Sequence, residues 1–167
     1  MPSFQQLFTQ ANGPKIQYHG KTLFWSDRFP VSDGDKLKIS IEKTNSEYIQ
    51  GISIDITGNC EVQGKRWKKG KGVKMIFWED AELIDPKNIE MTVFTKQGYI
   101  LVQNIWECSD HLGVKFMNSG VNGAAMIIEE IPNGRRYYCN DGHPDENFDD
   151  IIFSIQKVSG KNGKKRI

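Results

Sequence analysis

Cysteine is scarce in this 167-residue chain, and the three present, Cys60, Cys108 and Cys139, are odd in number and widely spaced. They match neither a disulfide framework nor a zinc-ligand pattern, so buried free thiols in a reducing compartment are expected. Long apolar runs are missing as well: no segment approaches the ~20 apolar residues of a membrane-spanning helix. The opening MPSFQQLFTQ lacks the basic region and apolar run of an ordinary signal peptide. A cytoplasmic protein is the expectation, with release by a non-classical route left open. Histidine is limited to His19, His111 and His143, scattered along the chain, and neither G-x-S-x-G nor H-E-x-x-H occurs. The neighbouring acids Glu79-Asp80 and Glu129-Glu130 fall in strand-like text, where adjacent side chains point to opposite faces. Catalysis is therefore not expected. A formal net charge of +1 removes the driving force for wholesale nucleic-acid or membrane-surface binding.

Helical periodicity is also nearly absent. Residues 3–10 can form one short helical turn, with Ser3 as N-cap and Phe4, Leu7 and Phe8 on one face, ended by Asn12-Gly13-Pro14. Elsewhere the text alternates at a period of two. Leu37, Ile39 and Ile41 share one face of residues 36–43, and Ile52, Ile54 and Ile56 share one face of residues 48–56. Glycine-containing turns recur between such runs. The expected fold is all-β: an antiparallel β-sandwich, jelly-roll-like, of about ten strands. Residues 1–158 make one domain, and the Gly- and Lys-rich stretch 159–167 is a flexible basic tail. Lys96-Gln97-Gly98 predicts a hairpin between residues 89–95 and 99–106. Pro132-Asn133-Gly134 predicts a second hairpin over residues 125–140, with a three-residue loop, Gly134 in the left-handed position, and Glu130 opposite Arg136. That register sets Ile127 and Ile128 opposite Cys139 and Tyr138.

Charge is unevenly spread. The loop after this hairpin carries Asp141, Asp145, Glu146, Asp149 and Asp150, with Asn140 and Asn147 beside them and no Lys or Arg. Crowded carboxylates either stay in water or share a hard cation such as Ca²⁺, which takes six to eight oxygens. An EF-hand is excluded, because Asp150 stands where Gly is required and a strand follows instead of a helix. Asp141 at one strand end, with Asp149 and Asp150 at the other, would anchor an ion in a sandwich. A solvated acidic loop is the alternative.

The opposite charge gathers in GKRWKKGKGVK, where Lys65, Arg66, Lys68, Lys69, Lys71 and Lys74 surround Trp67 with no acid among them. A phosphate-binding P-loop is excluded by spacing and by the strand that follows. Most aromatics lie beside aliphatics and belong to the core, but Trp67 is flanked by charge and is the candidate ligand platform. The stretch is either a solvated loop or a site for anionic ligands, phosphates, sulfated glycans or single strands among them, bound by charge and stacking.

Asn140-Asp141, Pro144-Asp145, Asn147 and the run Asp149–Ile155 together resemble the C-terminal calcium loop and last strand of jelly-roll lectins of the bacterial galactose-binding type. They are also similar to the Asp-Asp-containing last strand of many carbohydrate-binding modules. Phe29-Pro30-Val31 followed by residues 33–40 is similar to an early strand pair of such modules. Where that lectin family has a second Asn and a Gly, this chain has Phe148 and Asp149-Asp150. The resemblance implies a calcium-dependent carbohydrate-binding module, with Asp141, Asp145, Asn147, Asp149 and Asp150 as metal ligands. Asn140, His143 and Trp67 are then the ligand-contacting candidates, and a carbohydrate or glycoconjugate is the partner. Pairing of edge strands into a homo-oligomer stays open. The alternative is a protein-interaction module that docks through the acidic loop 140–150 and the basic loop 64–74.

Overall fold

The computed structural model describes residues 3–68, 70–142 and 146–158; the tail 159–167 lies outside them. A helix α1 (Phe4–Ala11) precedes β1 (Lys15–Tyr18), β2 (Lys21–Phe24), β3 (Asp27–Pro30), β4 (Lys36–Thr44) and β5 (Ile49–Ile56). Next come β6 (Gly58–Val62), β7 (Lys65–Trp67), β8 (Val73–Trp78) and β9 (Ile89–Thr95). The last strands are β10 (Tyr99–Ser109), β11 (Lys115–Asn118), β12 (Ala125–Ile131), β13 (Gly134–Asn140) and β14 (Ile151–Lys157).

These strands form an antiparallel β-sandwich. One sheet has the order β1-β2-β12-β13-β14-β4-β9-β6-β7, and the other β11-β10-β5-β8, with β3 also paired to β10. From β3 to β12 the chain passes repeatedly between the sheets, as the expected β-sandwich requires. The strand count is 14, and the excess has a simple origin. β1, β3 and β7 are only three or four residues long, too short to display alternation.

The inward positions of both sheets meet in one core. Leu37, Ile39 and Ile41 of β4 pack with Ile52, Ile54 and Ile56 of β5, and Tyr137 stacks on Phe153 at 4.6 Å between ring centroids. Burying a side chain of this size contributes about 1.5–3 kcal/mol, so the alternating runs dominate the fold. The Tyr137 hydroxyl donates to Asp27 Oδ2 at 2.6 Å, and Arg135 Nη1 donates to the same oxygen at 2.9 Å. The buried phenol, the buried carboxylate and the guanidinium thus satisfy one another, and burial pushes the Tyr137 hydroxyl pKa far above its usual range.

The short helix forms as its sequence predicts. Ser3 Oγ accepts the Gln6 N–H, Gln6 Oε1 accepts the Ser3 N–H, and Asn12 ends the helix at φ 55°. Phe4 and Phe8 pack with Ile16, Leu23, Ala125 and Phe148 in a second apolar cluster. Ala125 and Ile127 alternate along β12 with Met126 and Ile128 of the main core, so this cluster lies on the other face of the first sheet.

Two local expectations are corrected by long-range pairing. Lys96-Gln97-Gly98 does not close a hairpin: β9 pairs with β4 and β6, whereas β10 pairs with β3, β5 and β11. The turn instead carries the chain across the sandwich. Thr95 Oγ1 holds it by donating to the Thr57 carbonyl at 2.7 Å and accepting the Gln97 N–H at 3.1 Å. The hairpin of β12 and β13 does form, but Ile131 pairs with Gly134 across a two-residue Pro132-Asn133 turn. Asn133 takes the left-handed conformation at φ 64°. The register moves accordingly, placing Glu129 opposite Arg136, Glu130 opposite Arg135, Ile127 opposite Tyr138 and Ile128 opposite Tyr137. Gly134 is needed for another reason: a Cβ there would overlap the Ile155 carbonyl oxygen of β14.

Candidate functional site

The acidic loop starts where β13 ends and closes where β14 begins. The Asp150 N–H donates to the Cys139 carbonyl at 3.0 Å, and Asp150 Oδ2 accepts the Asp141 N–H at 2.9 Å. Asp141 is buried, and its Oδ2 accepts from Ser46 Oγ at 2.6 Å and from Gln50 Nε2 at 3.1 Å. Asn140 is fully enclosed: Oδ1 accepts the Phe148 N–H at 2.8 Å and its carbonyl accepts from Asn104 Nδ2 at 2.9 Å. Its side-chain oxygen thus holds the loop's own backbone.

The rest of the loop is tied to the N-terminal segment. Phe148, at φ 53°, is buried against Phe4 with 6.0 Å between ring centroids. The Tyr18 hydroxyl donates to Glu146 Oε2 at 2.9 Å. Asp149 is half-buried and accepts from Asn45 Nδ2 at 3.0 Å, while Asn147 is exposed. His143 and Asp145 lie outside the described residues. Among the described residues no three His, Cys, Asp or Glu side chains gather closely enough to hold a metal ion. Asp141 and Asp149 accept from Ser46, Gln50 and Asn45, which lie far away in sequence, and Asp150 accepts from the Asp141 backbone.

The second candidate stretch is an edge. Among the described residues β7 pairs only with β6, through Cys60–Trp67, Glu61–Arg66 and Val62–Lys65, after a Gln63-Gly64 turn with φ 51° and 84°. The stretch read as a loop thus begins as a strand at the end of the first sheet. Its cations are partly matched: Arg66 pairs with Glu61 at 3.1 Å and Lys74 with Asp55 at 3.6 Å. Lys68 and Lys71 have no ion pair among the described residues. Lys65 Nζ lies 4.6 Å from the centre of the Trp67 ring.

Between β7 and β8, the last strand of the other sheet, opens a groove of about 960 Å³. Val73, Met75, Phe77 and Ile84 give it an apolar floor, and Lys65, Lys68 and Lys74 line it with positive charge. Trp67 is 40 % exposed and Leu83 is 99 % exposed at this groove. No Asp, Glu, His or Cys is among its described lining residues, so its charge there is positive.

No protein-family model matches the chain, and comparison with known proteins and with solved structures finds no significant match. The geometry stands alone. Among the described residues no helix is long and apolar enough to cross a membrane.

Trp67 was not the only exposed indole. Trp25 is 43 % exposed, with Nε1 donating to the Gly120 carbonyl at 3.1 Å, whereas Trp106 is buried. The side chains around the acidic loop that sequence reasoning passed over are Ser46, Gln50 and Asn104. Two of them carried a signal: Gln50 is in phase with Ile52, Ile54 and Ile56, and Asn104 is in phase with Val102 and Trp106. A polar residue in phase with a core face must find a buried partner. Burial raises the Cys60 thiol pKa to about 11 and raises that of Cys139 as well, which makes these two poor nucleophiles.

Proposed function

We propose that this chain is a non-enzymatic interaction module that takes its ligand in the groove between β7 and β8. The observation that carries the reading is Trp67, an exposed aromatic beside an apolar floor with lysines and no acid around it. Exposed aromatic anchors and desolvated apolar pockets supply most binding energy at protein interfaces, and unpaired rim charges steer the encounter. A protein partner with acidic and apolar side chains matches both features. Of the two docking surfaces expected from charge, the basic one stands out. In the acidic loop Asp141 and Asp150 are buried, while Glu146 is exposed and Asp149 half-buried.

A calcium-dependent carbohydrate-binding module is the second reading, and one atom favours it. Gln50 Oε1 is buried beside Asp141 with no hydrogen-bond partner among the described residues. A buried acceptor of this kind suits a cation or an ordered water. Trp67 offers a flat face of the type on which sugar rings pack.

Arrays of acidic peptides and of glycans, each probed in calcium and in chelator, separate the two readings. The wild type is compared with Trp67→Ala and with the double variant Lys65→Glu, Lys68→Glu. Acidic-peptide binding should weaken with salt, ignore chelator and fall by about tenfold or more in either variant. Glycan binding that vanishes in chelator, with no binding of acidic peptides, would put the second reading in place of the first. Peptide binding untouched by both variants would remove the groove from consideration.

A further inference from the structure

Resting on the groove reading above, we infer that the partner enters as an extended acidic strand that pairs with the free edge of β8. The groove is lined by each successive residue from Gly72 to Phe77. A ligand lying on one face of a strand would meet alternate residues; contact with every residue means that the groove follows the strand's edge. Among the described residues β8 pairs with β5 alone.

The hydrogen-bond phase of that edge follows from the register. The Glu79 N–H donates to the Gln50 carbonyl at 2.9 Å, and Phe77, Met75 and Val73 pair with Ile52, Ile54 and Ile56. Bonded and non-bonded pairs alternate in an antiparallel ladder, so Lys74 and Ile76 turn their N–H and C=O groups outward. Six residues at ~3.3 Å each offer roughly 20 Å of template. A strand added there would set alternate side chains toward the apolar floor and toward the lysines, which is the side-chain logic of strand-addition recognition.

Charge selects the occupant. Lys65 and Lys68 are cations of the groove with no carboxylate partner among the described residues, so acidic side chains on the incoming strand complement them. A second copy of this chain would bring the same lysines together, and lysine at an edge is a common guard against self-pairing. The chain's own tail 159–167 carries Lys161, Lys164, Lys165 and Arg166 and is repelled in the same way. A nucleic-acid strand needs a longer run of unmatched cations, whereas Arg66 and Lys74 already face Glu61 and Asp55.

The probe is a library of acetylated hexapeptides alternating Glu with Val, Ile, Leu or Phe, titrated against the isotope-labelled chain. Bound members should slow amide exchange at Lys74 and Ile76 and should lose affinity by about tenfold or more when their alternate backbone nitrogens are methylated. Ile76→Pro should abolish the effect while the fold persists, because Pro is tolerated on an edge strand where the N–H faces out. Should that variant fail to fold, the methylated peptides on the wild type still decide the matter. Equal binding of methylated and unmethylated peptides overturns strand addition and leaves the groove reading standing. No binding by any member, or tighter binding by a single-stranded oligonucleotide of equal charge, overturns both the strand and its protein origin.

Discussion

Replacing Asp141 by Ala separates a structural role of the acidic loop from a metal-binding one. The carboxylate is 1 % exposed and receives at least two side-chain donors, Ser46 Oγ and Gln50 Nε2. Gln50 is itself fully buried and its Nε2 also donates to the Tyr48 carbonyl at 3.2 Å, so loss of the Asp141 acceptor leaves one of its two N–H groups with neither a partner nor a path to water. Hydrogen bonds to a charged group contribute roughly 1.5–3 kcal/mol each, and an orphaned buried donor costs a comparable amount. The two bonds together set the expected loss at about 3–6 kcal/mol, or a fall in melting temperature of roughly 6–24 °C for a domain of this size. Asp149→Ala is the internal control. It breaks one bond, to Asn45, at a half-exposed position, and should cost about 1 kcal/mol or less. Thermal unfolding of both variants, in chelator and in calcium, reads the difference. The structural account requires the large Asp141 effect to be present in chelator. If Asp141→Ala melts within about 2 °C of wild type in chelator and merely abolishes a calcium-induced rise, the reasoning fails. The loop would then be a metal site.

Two further outcomes follow from local geometry. Gly134→Ala should destabilise by about 1–3 kcal/mol or more, seen in denaturant unfolding, because the new Cβ meets the Ile155 carbonyl and stands 2.8 Å from Gln156 Cα; an unchanged midpoint would disprove that close approach. Glu129 is held below its ordinary value of 4.5 by the Tyr138 hydroxyl first and by Arg136 second. A carboxylate depressed in this way stabilises the fold above its unfolded pKa and loses that contribution as pH falls through the folded one. The melting-temperature gap between wild type and Glu129→Gln should therefore be constant from neutral pH down to about 5 and shrink at lower pH. A gap that widens on acidification would reverse the assignment.

Period-two alternation, the Ser3 capping box and the Asn12 terminus are local properties, and they alone determined that this chain is an all-β sandwich with one short helix. Alternation says which face a side chain occupies, because successive residues of a strand point opposite ways. It cannot say which strand lies alongside. Lys96-Gln97-Gly98 illustrates the limit: the same turn chemistry serves a hairpin or a crossing between sheets, and the Thr95–Thr57 contact, spanning 38 residues, made it a crossing. The hairpin of β12 and β13 slipped by one residue for a similar reason, since the place of Gly134 is set by β14.

The candidate sites divide along the same line. The clustering of carboxylates was plain in the sequence, but their use was not, because their donors come from far away. Ser46 is 95 residues from Asp141, and Asn45 is 104 from Asp149. A count of acids is the same whether a cation or distant hydroxyls and amides neutralise them. Trp67 and its lysines were legible as a charged aromatic stretch. The groove was not, because it is the gap between the last strands of two sheets, and only the tertiary fold brings β7 and β8 together around it.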